Sequence, residues 1–231
     1  MFDLTFIDQI RIVLALAMLG VACASDIKKR EIHDIIWVVF GATAACLIPF
    51  SGNLEKELYT VGISLIIAPI AIIVWRVGLF GGADAFALIV IAAMAPHATL
   101  FGGVVSPFTV LTNAVLLSII PMLVNVSRNL LLLAAKKDIF EGFDETISRK
   151  ILAIIIGYRA ANPKFGFSIE HKLGEQRKLD LSLHHAENAA FCNEKDTWVT
   201  PGIPYLIFIA GGFVLQLIYG DIMFRVFSVF T

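Results

Sequence analysis

Charge-free apolar stretches about as long as a bilayer is thick recur along this chain of 231 residues. A hydrocarbon core of about 30 Å is crossed by roughly 20 helical residues, each rising about 1.5 Å. Ile35 to Leu54 carries no charged residue, nor does Leu58 to Trp75, and the run from Ala85 to Ser127 is long enough for two passages. The middle of that run, PHATLFGGVVSP, holds Pro96, Gly102, Gly103 and Pro107, the turn formers expected where a hairpin reverses. A first span is interrupted by Asp8 and Arg11, with its clean part from Ile12 to Ser25, and Arg11 is expected to snorkel to the headgroups. A last span follows Pro201 through YLIFIAGGFVLQLIYG. The pattern predicts a mainly α, polytopic membrane protein with six transmembrane helices at about 7–25, 35–52, 58–76, 84–100, 107–135 and 203–225.

One polar region, Lys136 to Thr200, separates the fifth and sixth spans, with ten Lys/Arg balanced by ten Asp/Glu. Within it RKILAIIIGYRA fits either a membrane-lying amphipathic helix or a buried strand, because so short an apolar run does not fix its period. GFSIEH and KLDLSLHH alternate apolar and polar residues as strands do. The expected organisation is therefore transmembrane helices over 1–135, a small α+β soluble insert over 136–200, and a final span with a short tail over 201–231.

Composition agrees with lipid as the solvent. Hydrophobic residues make up 58% of the chain and charged ones 16%, against roughly 45–50% and about 25% in soluble domains. The formal net charge of -1 gives no basic excess, which argues against nucleic acid as a partner. Cys23, Cys46 and Cys192 stand far apart and form neither a disulfide framework nor a thiolate zinc site, and Cys23 and Cys46 read as small apolar fillers. The start MFDLTFIDQIRIVL lacks a basic n-region and a small-residue cleavage site, so the first apolar stretch is expected to stay as a span.

Lys and Arg concentrate at the cytoplasmic ends of spans. Lys28, Lys29 and Arg30 follow the first, Arg76 the third, and Arg128, Lys136 and Lys137 the fifth, while the opposite loops offer only Arg11, Lys56 and Arg225. The amino terminus is thus expected outside, with the first, third and fifth loops in the cytoplasm.

This arrangement gives two acidic residues a shared level. The first span ends in ACASDIKKREIHD and the fourth begins after FGGADAF, so Asp26 closes one helix and Asp84 opens another. The second and third spans carry the chain out and back, returning it to the same membrane face. Two facing carboxylates do not both ionise readily and share one proton. Such a pair activates a water on a peptide carbonyl and protonates the leaving nitrogen, without metal or cofactor. Read singly, each has an ordinary explanation. Asp84 after Gly-Gly-Ala is a favoured helix N-cap, and Asp26 pairs with Lys29 or Arg30 at helical spacing.

Gly81-Gly82-Ala83-Asp84 resembles the GxGD motif of intramembrane aspartyl proteases, in the variant typical of archaeal preflagellin and prepilin peptidases. SDIKKREIHD is similar to the motif closing the first span of that family, and WVTPGIPYL, Trp198 to Leu206, resembles the segment leading into its sixth span. The resemblance covers essentially the whole chain. It implies cleavage of the short basic signal peptide of archaellin or type IV pilin-like precursors at the cytoplasmic face. Asp26 and Asp84 carry over as the catalytic dyad, and Gly81, Gly82 and Ala83 as the substrate-binding turn beside them. Pro201, Gly202 and Pro204 form a helix-breaking entry where an extended substrate pairs; taken alone they equally mark a span boundary. Ala83 departs from the strict motif and sets the chain apart from the presenilin-like branch. The paired CxxC cysteines of many bacterial prepilin peptidases are absent, so N-methyltransferase activity is not expected.

Glu141, Asp144 and Glu145 are placed to attract the basic n-region of a precursor, or else form a solvated face. Asp34, beside the second span, is the alternative catalytic acid. His33, His171, His184 and His185 fall in polar segments and His97 in an outside turn, with no spacing that builds a metal site. Two competing functions follow from other classes: a transporter or ion channel using the carboxylates as proton or cation sites, and a filament-assembly scaffold. The transporter reading is disfavoured because both aspartates lie at span ends rather than near the midplane. Nothing in the sequence assigns an oligomeric state.

Overall fold

The computed structural model describes residues 4–173, 176–181 and 190–229. In chain order the helices are α1 (Phe6–Lys29), α2 (Ile35–Leu47), α3 (Leu54–Ser64), α4 (Ile67–Arg76), α5 (Gly82–Met94), α6 (Thr109–Ala134), α7 (Ile147–Ile156), α8 (Leu206–Tyr219) and α9 (Ile222–Val229). The strands are β1 (Tyr158–Ala160), β2 (Gly166–Ser168), β3 (Glu170–Leu173), β4 (Gln176–Leu179) and β5 (Thr197–Pro201). The chain divides into two compact units, one of Met1–Leu117 with Pro204–Thr231 and one of Ser118–Ile203.

The first unit is helical. A capping box opens α1: the Thr5 hydroxyl accepts the Asp8 N–H at 3.2 Å while the Asp8 carboxylate accepts the Thr5 N–H at 3.0 Å. The helix runs four residues beyond the expected Ser25, because Lys28 and Lys29 suit the negative end of its dipole. It stops at Arg30, whose left-handed backbone (φ 57°) turns its N–H onto the Asp26 carbonyl. A 3-10 turn, Ile48–Phe50, prolongs α2. The third span starts at Leu54 rather than residue 58, since Asn53 caps it by accepting the Lys56 N–H at 2.9 Å and Glu55 and Glu57 favour its positive end. Helix α5 ends at Met94 instead of near residue 100, because Pro96 keeps Ala95 out of helical geometry.

The last expected span is bent. Between α8 and α9 the chain turns by 50° at Gly220 and Asp221. Gly220 has φ 73°, and a Cβ there would sit 2.8 Å from the Val104 carbonyl oxygen, so this corner requires glycine. Buried Asp221 accepts the Phe224 N–H at 3.0 Å and the Thr109 hydroxyl at 3.2 Å. Fully buried Asn113 donates to the carbonyls of Gly212 and Gly220 and accepts the Ile222 N–H, pinning α6 to the corner.

Three helical stretches, Phe6–Lys29, Leu54–Arg76 and Thr109–Ala134, are long and apolar enough to cross a membrane, and α8 with α9 makes a fourth if the bent pair is one span. The chain is thus a multi-pass membrane protein. Of the six spans expected, Ile35–Phe50 and Gly82–Met94 fall short of that length. At about 1.5 Å per residue, α5 extends only about 20 Å.

Arg11 does not snorkel. It is 4% exposed and forms an ion pair with Glu57 of α3. Helix α1 turns this residue inward, next to Ile12 and Ala15 of the core. Arg11→Met leaves the Glu57 carboxylate largely buried without its cation, and is expected to lower stability by about 3 kcal/mol. Arg11→Met with Glu57→Met should recover most of that loss in thermal unfolding in detergent.

The second unit is the strand-containing one. Strand β5 lies between β1 and β2, antiparallel to both, with Arg159 opposite Trp198 and Ser168 opposite Val199. Strands β3 and β4 form a separate antiparallel pair. RKILAIIIGYRA is α7 followed by β1, divided at Gly157, where a Cβ would lie 2.6 Å from the Val199 carbonyl oxygen. The predicted GFSIEH strand is two strands, β2 and β3, and KLDLSLHH is a strand only to Leu179, its end lying outside the described residues. Trp198 is wholly buried, stacks on Phe140 at 4.8 Å and donates its indole N–H to the Ile139 carbonyl at 3.0 Å. Buried Glu170 accepts the Trp198 N–H and pairs with Arg177. A hydrogen bond from Arg159 holds Asp196 below the usual carboxylate range.

Candidate active site

The core of the first unit includes Ala15, Met18, Leu19 and Ala22 of α1, Leu88 and Ile91 of α5, and Ile209 and Phe213 of α8. These helices pack on one another. Asp26 lies in the last turn of α1, half-exposed, and Asp84 in the first turn of α5, 7% exposed. Asp84 is the third residue of its helix, not the cap. The cap is Gly81, whose N–H donates to Asp84 Oδ2 at 3.0 Å. The helix start thus orients the carboxylate and leaves the dipole's positive end beneath it.

Cys23, one turn before Asp26, lies within electrostatic reach of both Asp26 and Asp84. Asp26 ends α1 and Asp84 begins α5, and these two helices pack on each other. The thiol, read from sequence as a filler, is half-buried there. Arg30, in the left-handed cap of α1, is a cation within electrostatic reach of Asp26.

Gly81 has φ −77° and ψ 163°, a conformation open to any residue. Gly82 is different: its ideal Cβ would lie 3.0 Å from the Trp75 ring carbons, so the indole rests directly on the helix start. Trp75 also faces Phe86 at 5.9 Å. Ala83 packs against the core. Phe80, just before the turn, stacks at 5.8 Å on Tyr205, which in turn meets Phe208 edge-on at 5.7 Å. The aromatic link from the Gly81 turn to the start of α8 was not readable in the sequence, although Tyr205 belongs to WVTPGIPYL.

Pro201 and Gly202 belong to the second unit and Pro204 to the first. Pro201 ends β5 opposite Gly166, and the Gly202 N–H donates to the Phe165 carbonyl at 2.7 Å. The Pro204 carbonyl accepts the Ile207 N–H at 3.2 Å. Asp34 is exposed and caps α2 through its backbone carbonyl only. Glu145 is taken up by structure, pairing with Arg149 and accepting the Leu179 N–H at 2.7 Å, whereas Glu141 and Asp144 are exposed. His184 and His185 lie outside the described residues, and among those described no group of three His, Cys, Asp or Glu is placed to hold a metal.

Comparison with known proteins points to a peptidase. The family model described as "Type IV leader peptidase family" matches residues 13–124, which contain both aspartates. A second, "Archaeal Peptidase A24 C-terminus Type II", matches residues 149–222. The chain belongs to this peptidase A24 family of membrane peptidases. It is similar to the preflagellin peptidase of Methanococcus voltae, 26% identical over 226 residues, covering 91% of this chain and 96% of that one. It is also similar to the preflagellin peptidase of Methanocaldococcus jannaschii, 25% identical with 95% and 97% covered.

Proposed function

We propose that this chain is a membrane-embedded aspartyl endopeptidase that removes the short basic signal peptide of archaellin or type IV pilin-like precursors at the cytoplasmic membrane face. What supports the catalytic assignment is that Asp26 ends α1 and Asp84 begins α5, two helices that pack on each other, with Cys23 within electrostatic reach of both acids. Glu170 and Asp221, buried like Asp84, are tied into the strand unit and the α9 corner. In the reaction one carboxylate takes a proton from water as it attacks the scissile carbonyl. The other, protonated, delivers its proton to the leaving nitrogen. The Gly81 N–H fixes one Asp84 oxygen in the first turn of α5. Gly81, Gly82 and Ala83 border the substrate beside the acid, and Pro201, Gly202 and Pro204 form the stretch entering α8 that meets the extended leader.

In this reading Ile35–Phe50 and Gly82–Met94 complete a six-span bundle, and the polar insert 136–200 stands in the cytoplasm. Short spans are accommodated by local thinning of the bilayer, which lets water and an extended peptide reach acids at the ends of α1 and α5. Exposed Glu141 and Asp144 attract the basic leader.

The test is reconstitution in lipid vesicles with a synthetic archaellin-like precursor. The expected result is one cut releasing the basic leader, identified by mass, with a rate that falls at both acid and alkaline limits as the pair gains or loses its shared proton. Absence of cleavage for every precursor with a short basic leader would overturn the reading.

A further inference from the structure

Helix α7 carries an apolar face that the interior of its unit does not use. Ala153 is fully buried and Ile154 packs on the core of Ile139, Phe143 and Trp198. On another side Ile147 is 77% exposed, Ile151 53% and Leu152 43%. Ile147 and Ile151 are one helical turn apart, so they share a face, with Leu152 beside them.

The position of this helix is fixed by α6. Asn129 of α6, wholly buried, donates to the carbonyls of Ile154 at 2.9 Å and Gly157 at 2.8 Å, satisfying the acceptors left open at the end of α7. Asn129 stands five residues before Ala134, so the tie lies about 7.5 Å short of the end of a membrane-spanning helix. Arg128 adds a second tie, its guanidinium 4.0 Å above the Tyr158 ring. On α6 itself Leu130, Leu131 and Leu133 are exposed around this level, as a lipid-facing surface is, and Lys136 and Lys137 follow directly.

We propose that α7 lies in the membrane interface, with Ile147, Ile151 and Leu152 dipped into lipid as a continuation of the lipid-facing surface of α6. The occupant is the bilayer, because the helix is hydrogen-bonded to the last turns of a span and the exposed cations Arg128, Lys136 and Lys137 stand at headgroup level. Exposed Asp138, Glu141 and Asp144 lie in the same stretch, so apolar contact, rather than selection of anionic lipid, holds the helix. The strand unit is thereby attached to the membrane at a second point, independently of the catalytic assignment.

The full chain, carrying photoreactive benzoylphenylalanine at Ile151 or at Asp144, is reconstituted in phosphatidylcholine and phosphatidylglycerol vesicles and irradiated. Lipid adducts are expected at Ile151 and at background level at Asp144. Should the Ile151 variant fail to fold, the same probe at Leu152 reads the same face. Equal adducts at Ile151 or Leu152 and Asp144, or cross-links to a second copy of the chain in place of lipid, would contradict the proposal.

Discussion

Asp84→Asn is expected to lower precursor cleavage by about 10³-fold or more, the scale on which a positioned acid or base contributes to proton transfer. The protein should still fold, because an asparagine oxygen at this position continues to accept the Gly81 N–H that Asp84 accepts now. Asp26→Asn is expected to give a loss of the same order. Its side chain is half-exposed at the end of α1, where replacing a carboxylate by its amide leaves no buried charge unpaired. Asp34→Asn is the control. That residue is exposed at the start of α2, and cleavage should stay within about twofold of the unaltered chain, below the roughly 0.6 kcal/mol that RT represents. Rates are read from the appearance of mature product at saturating precursor, with membrane-extracted protein quantified for each variant. Native-level cleavage by either Asp26→Asn or Asp84→Asn removes that residue from the pair.

The second large effect concerns stability. Gly212 of α8 faces α6 so closely that a Cβ would stand 2.5 Å from the Val110 carbonyl oxygen and 2.9 Å from the Ala114 nitrogen. Both obstacles are backbone, so Gly212→Ala forces the helices apart. It is expected to cost about 3 kcal/mol, the upper part of the usual range for overpacking. The neighbouring Gly211→Ala is expected to cost less than about 1 kcal/mol, since it meets only the movable end of the Leu117 side chain, at 2.7 Å. Alanine also gains about 1 kcal/mol of helix propensity over glycine at both sites. The contrast between adjacent positions, measured as melting temperature in one detergent, separates close helix packing from any general dislike of larger residues. Because α8 packs against α1 and α5, Gly212→Ala should also reduce cleavage.

Much of this architecture was written in the apolar runs. The fifth span, expected at 107–135, is Thr109–Ala134, because Arg128 near its end is its one charged residue before the lysines. Charged residues do not mark the ends of these helices. Lys28 and Lys29 extend α1, and Glu55 and Glu57 open α3, because a helix outlasts its apolar part when its dipole favours the charges. The break at Gly220 and Asp221 falls inside the expected span 203–225, since periodicity does not report the distant partners, Thr109 and Asn113, that hold the corner. Strand β5 was read as an entry to the last span, though its hydrogen-bonding partners β1 and β2 lie some 30–40 residues earlier.

That Asp26 stands near the end of one helix and Asp84 near the start of another was legible in the sequence. Cys23 was not, because a small neutral side chain carries no sign of what it touches. Nor was the role of Gly82, which follows from the Trp75 ring above it rather than from backbone conformation. The packing around the Gly81 turn comes from the nearby Trp75 ring and, through Phe80, from the distant Tyr205.

Cross-linking tests most directly whether the two acids meet. In a chain whose Cys23, Cys46 and Cys192 are replaced by alanine, Asp26→Cys and Asp84→Cys are introduced together and treated in membranes with a short bifunctional maleimide. Convergence of the ends of α1 and α5 predicts a bridge within one chain, seen as a single linked peptide after digestion. Two separately capped thiols, with precursor present as well as absent, would contradict it.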